Sequence, residues 1–280
     1  MRSPIFPRER VTVVGVLNAT PDSFSDGGRF VAGDRIDVDA VVAEALRMQR
    51  AGAHVLDIGG ESTRPRAAEV PVDIEVERVV PILEALAKAC ELPLSIDTRK
   101  GAVARAALAA GARIVNDVSG GRFDPALLEV VAERGAWLVL GHLRGTPATM
   151  QDAPHFDDVL REVTGELATS VARAEAAGVA PAQIVVDPGI GFGKRQEDNL
   201  ALLANAGWIG ERLAKPVLVG ASRKAFLGRL TGDRVDERDV ATAAACAVAV
   251  FAGANAIRVH DVGAGVRAAR VAAALRGARA

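Results

Sequence analysis

The chain has 280 residues, 25% charged and 50% hydrophobic, with a formal net charge of -1. That balance excludes a coat of positive charge for nucleic acid or an anionic membrane, and it excludes an intrinsically disordered chain. Cys90 and Cys246 are too far apart to suggest a metal site or a disulfide framework, which fits a reducing, cytoplasmic setting. The opening MRSPIFPRER lacks the apolar core of a signal peptide, and residues 1–10 are expected to form a flexible extension. The alanine-rich run 240–254 is too short to span a bilayer.

In chain order, apolar runs at 11–17, 55–58, 94–96, 114–115, 137–140, 184–186, 216–219 and 256–259 alternate with helical patterns. The runs are apolar throughout, as in strands buried on both faces of a parallel sheet. Val76, Val79, Val80, Leu83 and Leu86 mark one helix; Phe156, Val159, Leu160, Val163, Leu167 and Val171 mark another. Ala-Gly-Ala recurs at 51–53, 110–112 and 252–254, with variants at 134–136 and 177–179, each just before a strand. Glycine there suits the left-handed residue that ends a helix. Eight strand–helix units in one chain without a linker predict a single (β/α)8 barrel domain over 1–280; an open doubly wound sheet is the alternative.

Polar residues collect at the predicted strand ends: Asn18, then Asp57 and Glu61, Asp97, Asn116 and Asp117, His142, Asp187, Ser222 to Lys224, and finally Arg258, His260 and Asp261. In a barrel these converge at the C-terminal mouth, where such enzymes place their sites. Asp97, Asn116, Asp187 and Lys224 together suit a heterocycle with alternating N–H and C=O edges, a pterin or a purine. A buried carboxylate here needs a donor, from the ligand or from Lys224. Asn18, Thr63, Arg64, Arg258 and His260, beside glycine-rich turns, suit a phosphate. The run 189–194 fails the P-loop pattern, because Pro188 occupies its first glycine position. His54 and His155 are expected to be structural or surface residues, and four scattered histidines give no zinc site.

These motifs together, VGVLNATPDSFSDGG (14–28), DIGGESTRP (57–65), SIDT (95–98), NDVSGG (116–121), DPGIGFGK (187–194), GASRK (220–224) and RVHDV (258–262), resemble the dihydropteroate synthase family along nearly the whole chain. The resemblance implies a (β/α)8 barrel that condenses 6-hydroxymethyl-7,8-dihydropterin diphosphate with 4-aminobenzoate in folate biosynthesis, with Mg2+ as cofactor and sulfonamides as competitors. It implies pterin binding by Asp97, Asn116, Asp187 and Lys224, with Arg258 and His260 on the diphosphate and Asn18 at the magnesium. Thr63, Arg64 and Pro65 match the family's second loop, and Phe24 and Asp26 its first. Phe24, Pro65 and Phe192 would wall the aminobenzoate, Asp26 would act in loop closure, and Asp97, Lys224, Arg258 and His260 would be catalytic. A methyltetrahydrofolate-binding methyltransferase and a non-catalytic pterin-binding paralogue are the rival readings; the intact motifs argue against both.

Two departures bear on shape: Arg66 where glycine is usual, and Gly141 where methionine is common. Gly141 is expected to leave room beside the pterin, so that Gly141→Met is tolerated and bulkier pterin analogues fit. Loops 20–28 and 62–68, with little apolar content, are expected to be mobile when empty and to close over diphosphate before the aminobenzoate binds. The segment 240–251 is apolar nearly all round, which calls for a partner chain, and the resemblance implies a homodimer.

Overall fold

In the computed structural model, which describes residues 4–20, 31–32, 35–62 and 67–278, all eight apolar runs form parallel strands. They are β1 (Thr12–Asn18), β2 (Val55–Gly59), β3 (Leu94–Asp97), β4 (Ile114–Asp117), β5 (Trp137–Gly141), β6 (Ile184–Asp187), β7 (Leu218–Val219) and β8 (Ala256–Val259). Neighbours run β6-β5-β4-β3-β2-β1-β8-β7, and a parallel bridge between Val186 and Val217 joins the two edges. The result is a nearly closed (β/α)8 barrel. Several strands run one or two residues past their apolar stretch, because the neighbouring ladder continues there: Asp97 pairs Asn116, and Gly141 pairs Asp187. β7 is shorter than expected, since Pro216 has no N–H to give the ladder. A short antiparallel pair, Val31–Ala32 with Arg35–Ile36, was not foreseen.

Among the described residues ten α-helices surround the strands: α1 (Val38–Arg50), α2 (Val72–Ala89), α3 (Gly101–Ala109), α4 (Ala126–Arg134), α5 (Val159–Ala176), α6 (Gln196–Ala204), α7 (Ala206–Leu213), α8 (Ala225–Thr231), α9 (Asp239–Phe251) and α10 (Val262–Gly277). All five foreseen joint glycines, Gly52, Gly111, Gly135, Gly178 and Gly253, have positive φ. A side chain at these positions would strain the backbone, so the repeat of small residues records a repeated change of direction.

The strands bury both faces. Outward residues such as Leu56, Ile58, Ile96, Leu138, Leu140 and Ile257 join the helices in one core. Inward residues Val14, Val55, Ile114, Val139, Val185, Leu218 and Ala256 form a second cluster, completed by Ile5 and Phe6. The Phe6 ring lies 5.6 Å from Trp137. The expectation of a flexible extension over 1–10 therefore fails at Ile5 and Phe6: both are buried and cap the inner cluster, Phe6 against the first residue of β5. Of the described helices, none is long and apolar enough to cross a membrane.

Candidate active site

Strand parity aims the polar residues. Asp57 follows Val55, Asn116 follows Ile114, Asp187 follows Val185 and Arg258 follows Ala256, each at the two-residue spacing that returns a side chain to the same face. The lower residue of each pair fills the barrel's inner cluster, so the upper one points inward above it, toward the C-terminal mouth. A cavity of about 800 Å³ opens there, lined by Asn18, Asp97, Phe192, Lys224, Arg258 and His260 among others.

Arg258 is the centre of the arrangement. Its Nε donates to Asp57 Oδ2 at 2.6 Å and its Nη2 to Asp97 Oδ2 at 2.7 Å. Asn116 Nδ2 donates to the same Asp57 oxygen at 3.0 Å. Arg258, expected with the phosphate set, thus also pairs two of the carboxylates for which Lys224 or a ligand was the expected donor. One oxygen of each, Asp57 Oδ1 and Asp97 Oδ1, is buried without a hydrogen-bond partner. Burial pushes the Asp97 carboxyl up to about 7, against the pull of Arg258. A group in this state is set to accept N–H donors from a ligand.

On the opposite wall, burial raises the Asp187 carboxyl, and Gly189 N donates to its Oδ1 at 2.7 Å. Lys224 Nζ donates to the carbonyl of Ile190 and stands 4.2 Å from the centre of the Phe192 ring. Burial lowers its ammonium to about 8. At the rim, Ser222 Oγ and His260 Nδ1 are 2.9 Å apart.

Of the foreseen residues, Asn18, Asp97, Phe192, Lys224, Arg258 and His260 line the cavity; Asn116, bonded to Asp57, and Asp187, facing the Lys224 ammonium, stand at the neighbouring strand ends. Phe24, Asp26, Thr63, Arg64, Pro65 and Arg66 lie outside the described residues, as do positions 21–28 and 63–66 of the two loops on which closure was argued. His54 proves structural, its Nδ1 accepting from Val13 N at 3.0 Å, and His155 is exposed.

Gly141 overturns its expectation. A Cβ there would lie 2.6 Å from Val118 Cα and 2.8 Å from Val118 O. The space assigned to a bulkier pterin is filled by the backbone that follows β4. Gly141→Met is therefore expected to lower stability by about 1–3 kcal/mol, the usual cost of overpacking, read as a fall in thermal midpoint.

Two charged clusters, one buried and one partly so, went unforeseen. Lys100 Nζ lies 2.6 Å from Glu75 Oε2 and 3.3 Å from Glu61 Oε2, while Glu61 Oε1 accepts from Val70 N at 2.9 Å. Glu75 stands four residues before Val79 on the apolar stripe of α2, a signal available in the sequence. The other cluster joins Lys194, His142 and Glu166; Lys194 closes the DPGIGFGK motif, but nothing in that motif names its partners.

The barrel and its mouth define a (β/α)8 enzyme with a pocket for a polar heterocycle. A family model described as pterin binding enzyme matches residues 14–260. The chain is 48% identical over 273 residues to a dihydropteroate synthase of Mycobacterium leprae, covering 94% of this chain and 93% of that one. The Yersinia pestis dihydropteroate synthase solved with a sulfonamide drug superposes with a TM-score of 0.91 at 40% identity, covering 97% and 96%. The Xanthomonas albilineans enzyme in complex with 7,8-dihydropteroate does so at 0.84 and 42%, covering 96% and 95%. The chain belongs to the pterin-binding enzyme family, among the dihydropteroate synthases, which are transferases.

Proposed function

We propose that this chain condenses 6-hydroxymethyl-7,8-dihydropterin diphosphate with 4-aminobenzoate, giving 7,8-dihydropteroate and diphosphate in folate biosynthesis. The observation that carries the reading is Asp97: one carboxylate oxygen held by Arg258, the other buried and unpartnered beside the cavity. Pterin N–H groups would supply the missing donor at Asp97 and would also meet the Asp187 carboxylate, while Asn116 and Lys224 complete the polar edge. The C–O bond to diphosphate breaks and the methylene takes the amine nitrogen, which gives up one proton. Nitrogen lone pairs of the pterin ring can stabilise the methylene cation, which supports an SN1-like path. No side-chain nucleophile is needed.

Two of the five guanidinium N–H groups of Arg258 serve the carboxylates, which leaves three to meet the departing diphosphate along with His260. Among the described residues no three His, Cys, Asp or Glu side chains stand together for a metal. Asn18, with one amide oxygen in the cavity wall, fits Mg2+ only as an ion that keeps waters and takes substrate phosphate oxygens, so Asn18 would hold it with the diphosphate. When bound, the ion neutralises charge on the leaving group. Sulfonamides would compete for the arylamine position. Product formation from the two substrates with Mg2+ is the test.

The free thiols of Cys90 and Cys246 support a cytoplasmic setting. A homodimer is part of the same proposal. α9 buries Cys246, Ala249 and Val250 but leaves Val240 83% and Val248 49% exposed, and α10 beside it exposes Val271 and Leu275. Such a face suits a second copy. Light scattering should give about twice 29.0 kDa at micromolar concentration; a monomer mass would reject the dimer.

A further inference from the structure

We propose that Lys194 is a positioning residue for the arylamine, the central link of a hydrogen-bonded post that runs from half-buried Glu166 through buried His142 to the loop carrying Phe192. The inference rests on the dihydropteroate reading above. Lys194 lines the cavity yet is 2% exposed. An ammonium has three N–H donors. Lys194 Nζ has three acceptors in reach: Phe192 O at 2.9 Å, His142 Nδ1 at 3.0 Å and His142 O at 3.3 Å. All three are uncharged, so this lysine is placed to fix geometry.

The loop needs fixing. Gly189, Gly191 and Gly193 all have positive φ, at 68°, 82° and 60°. Three glycines in five residues give the loop no preference of its own for that shape. The loop also lies against Lys224: a Cβ on Gly191 would meet Lys224 Cδ at 2.7 Å. The Phe192 ring is therefore carried by a loop that packs along the Lys224 stem, whose ammonium is held separately by the Ile190 carbonyl.

The far end sets the chemistry of the post. His142 is 1% exposed, and its Nε2 is 3.1 Å from Glu166 Oε2. An ionised carboxylate only accepts, so Nε2 carries the ring proton and Nδ1 is left as an acceptor. Only a donor can satisfy it, and Lys194 is that donor. Glu166 is itself held by Arg144, whose Nε donates to it at 2.7 Å and whose Nη2 also reaches Glu162. Burial lowers His142 to about 4 and Lys194 to about 7, while His142 and Arg144 hold Glu166 at about 2. The charged groups facing Lys194 are Asp187 from β6, Lys224 after β7, Glu166 on α5, Arg144 after β5, and Arg195 and Asp198 at the start of α6.

Four histidines make ring ¹⁵N spectra tractable. In the wild-type chain, His142 should be the neutral Nε2–H tautomer between about pH 6 and 8. Its Nδ1 shift should follow the loss of the Lys194 proton, and that inflection should vanish in Lys194→Met. Glu166→Gln keeps an acceptor in its Oε1, so with the Lys194 ammonium still donating to Nδ1 the ring should remain in the Nε2–H form. In assays, Lys194→Met should raise KM for 4-aminobenzoate about ten-fold, with kcat and KM for the pterin within about three-fold. A wild-type Nδ1–H tautomer, an unchanged aminobenzoate KM, or equal damage to both substrates would overturn the proposal. If the wild-type chain made no dihydropteroate, the function reading would fall, and the tautomer of His142 would still decide the post.

Discussion

Asp97→Asn is expected to cut kcat/KM by about 100- to 1,000-fold while leaving the thermal midpoint unchanged or higher. The carboxylate is held raised by burial, so the folded chain carries the cost of a group whose charge is only partly compensated. The sign follows from the direction of the shift. A carboxyl whose folded value lies above its unfolded one binds protons more readily when folded, so it lowers stability as pH rises from the ordinary Asp range to about 7. The amide removes that cost, and Asp57 remains to hold Arg258 at 2.6 Å. It also replaces the waiting acceptor with a mixed donor and acceptor. Pterin affinity in the wild-type chain should therefore weaken as pH falls below about 7, and in Asp97→Asn that limb should be absent. A variant with normal turnover would remove Asp97 from the binding role; a collapse in thermal midpoint would make it structural.

Lys224→Ala is the second large effect. The ammonium sits between the Ile190 carbonyl, the Phe192 ring and the buried Asp187 carboxyl. Its loss takes away the cation that steadies Asp187 and the donor offered to the heterocycle at once, so turnover should fall by about 1,000-fold or more. Lys224 precedes the first turn of α8 and its side chain does not cap the helix, so the far-ultraviolet circular dichroism should be unchanged. Lys224→Arg should recover little, because a planar guanidinium cannot take the place of a compact ammonium against Ile190.

Both residues were legible before any coordinates, and the reason is local. Asp97, Asn116, Asp187 and Arg258 each stand at the end of a short apolar run, where parity and the barrel's closure leave a polar side chain only one place to go. The joint glycines were legible for a similar reason, since the left-handed residue at such a joint favours glycine, although Ala214 fills that place after α7. What could not be read depended on distant parts of the chain meeting. The pairing of Arg258 with Asp57 spans 201 positions. The Gly141 expectation failed because the atoms that fill its space are the backbone of Val118, from the neighbouring strand's loop. Phe6 looked like part of an unanchored end because nothing in MRSPIFPRER announces that the barrel floor waits for an aromatic ring. Lys194 stood inside a recognised motif, but its partners His142 and Phe192 are joined to it only by the fold.

The most direct test of the central claim is a single reaction: the purified chain with 6-hydroxymethyl-7,8-dihydropterin diphosphate, Mg2+ and labelled 4-aminobenzoate, followed by chromatography. Labelled 7,8-dihydropteroate and an equal amount of diphosphate are the expected products, with a sulfonamide suppressing both. Pterin binding without any labelled product, from a chain that is folded and supplied with Mg2+, would contradict the claim and mark the mouth of this barrel as a binding site alone.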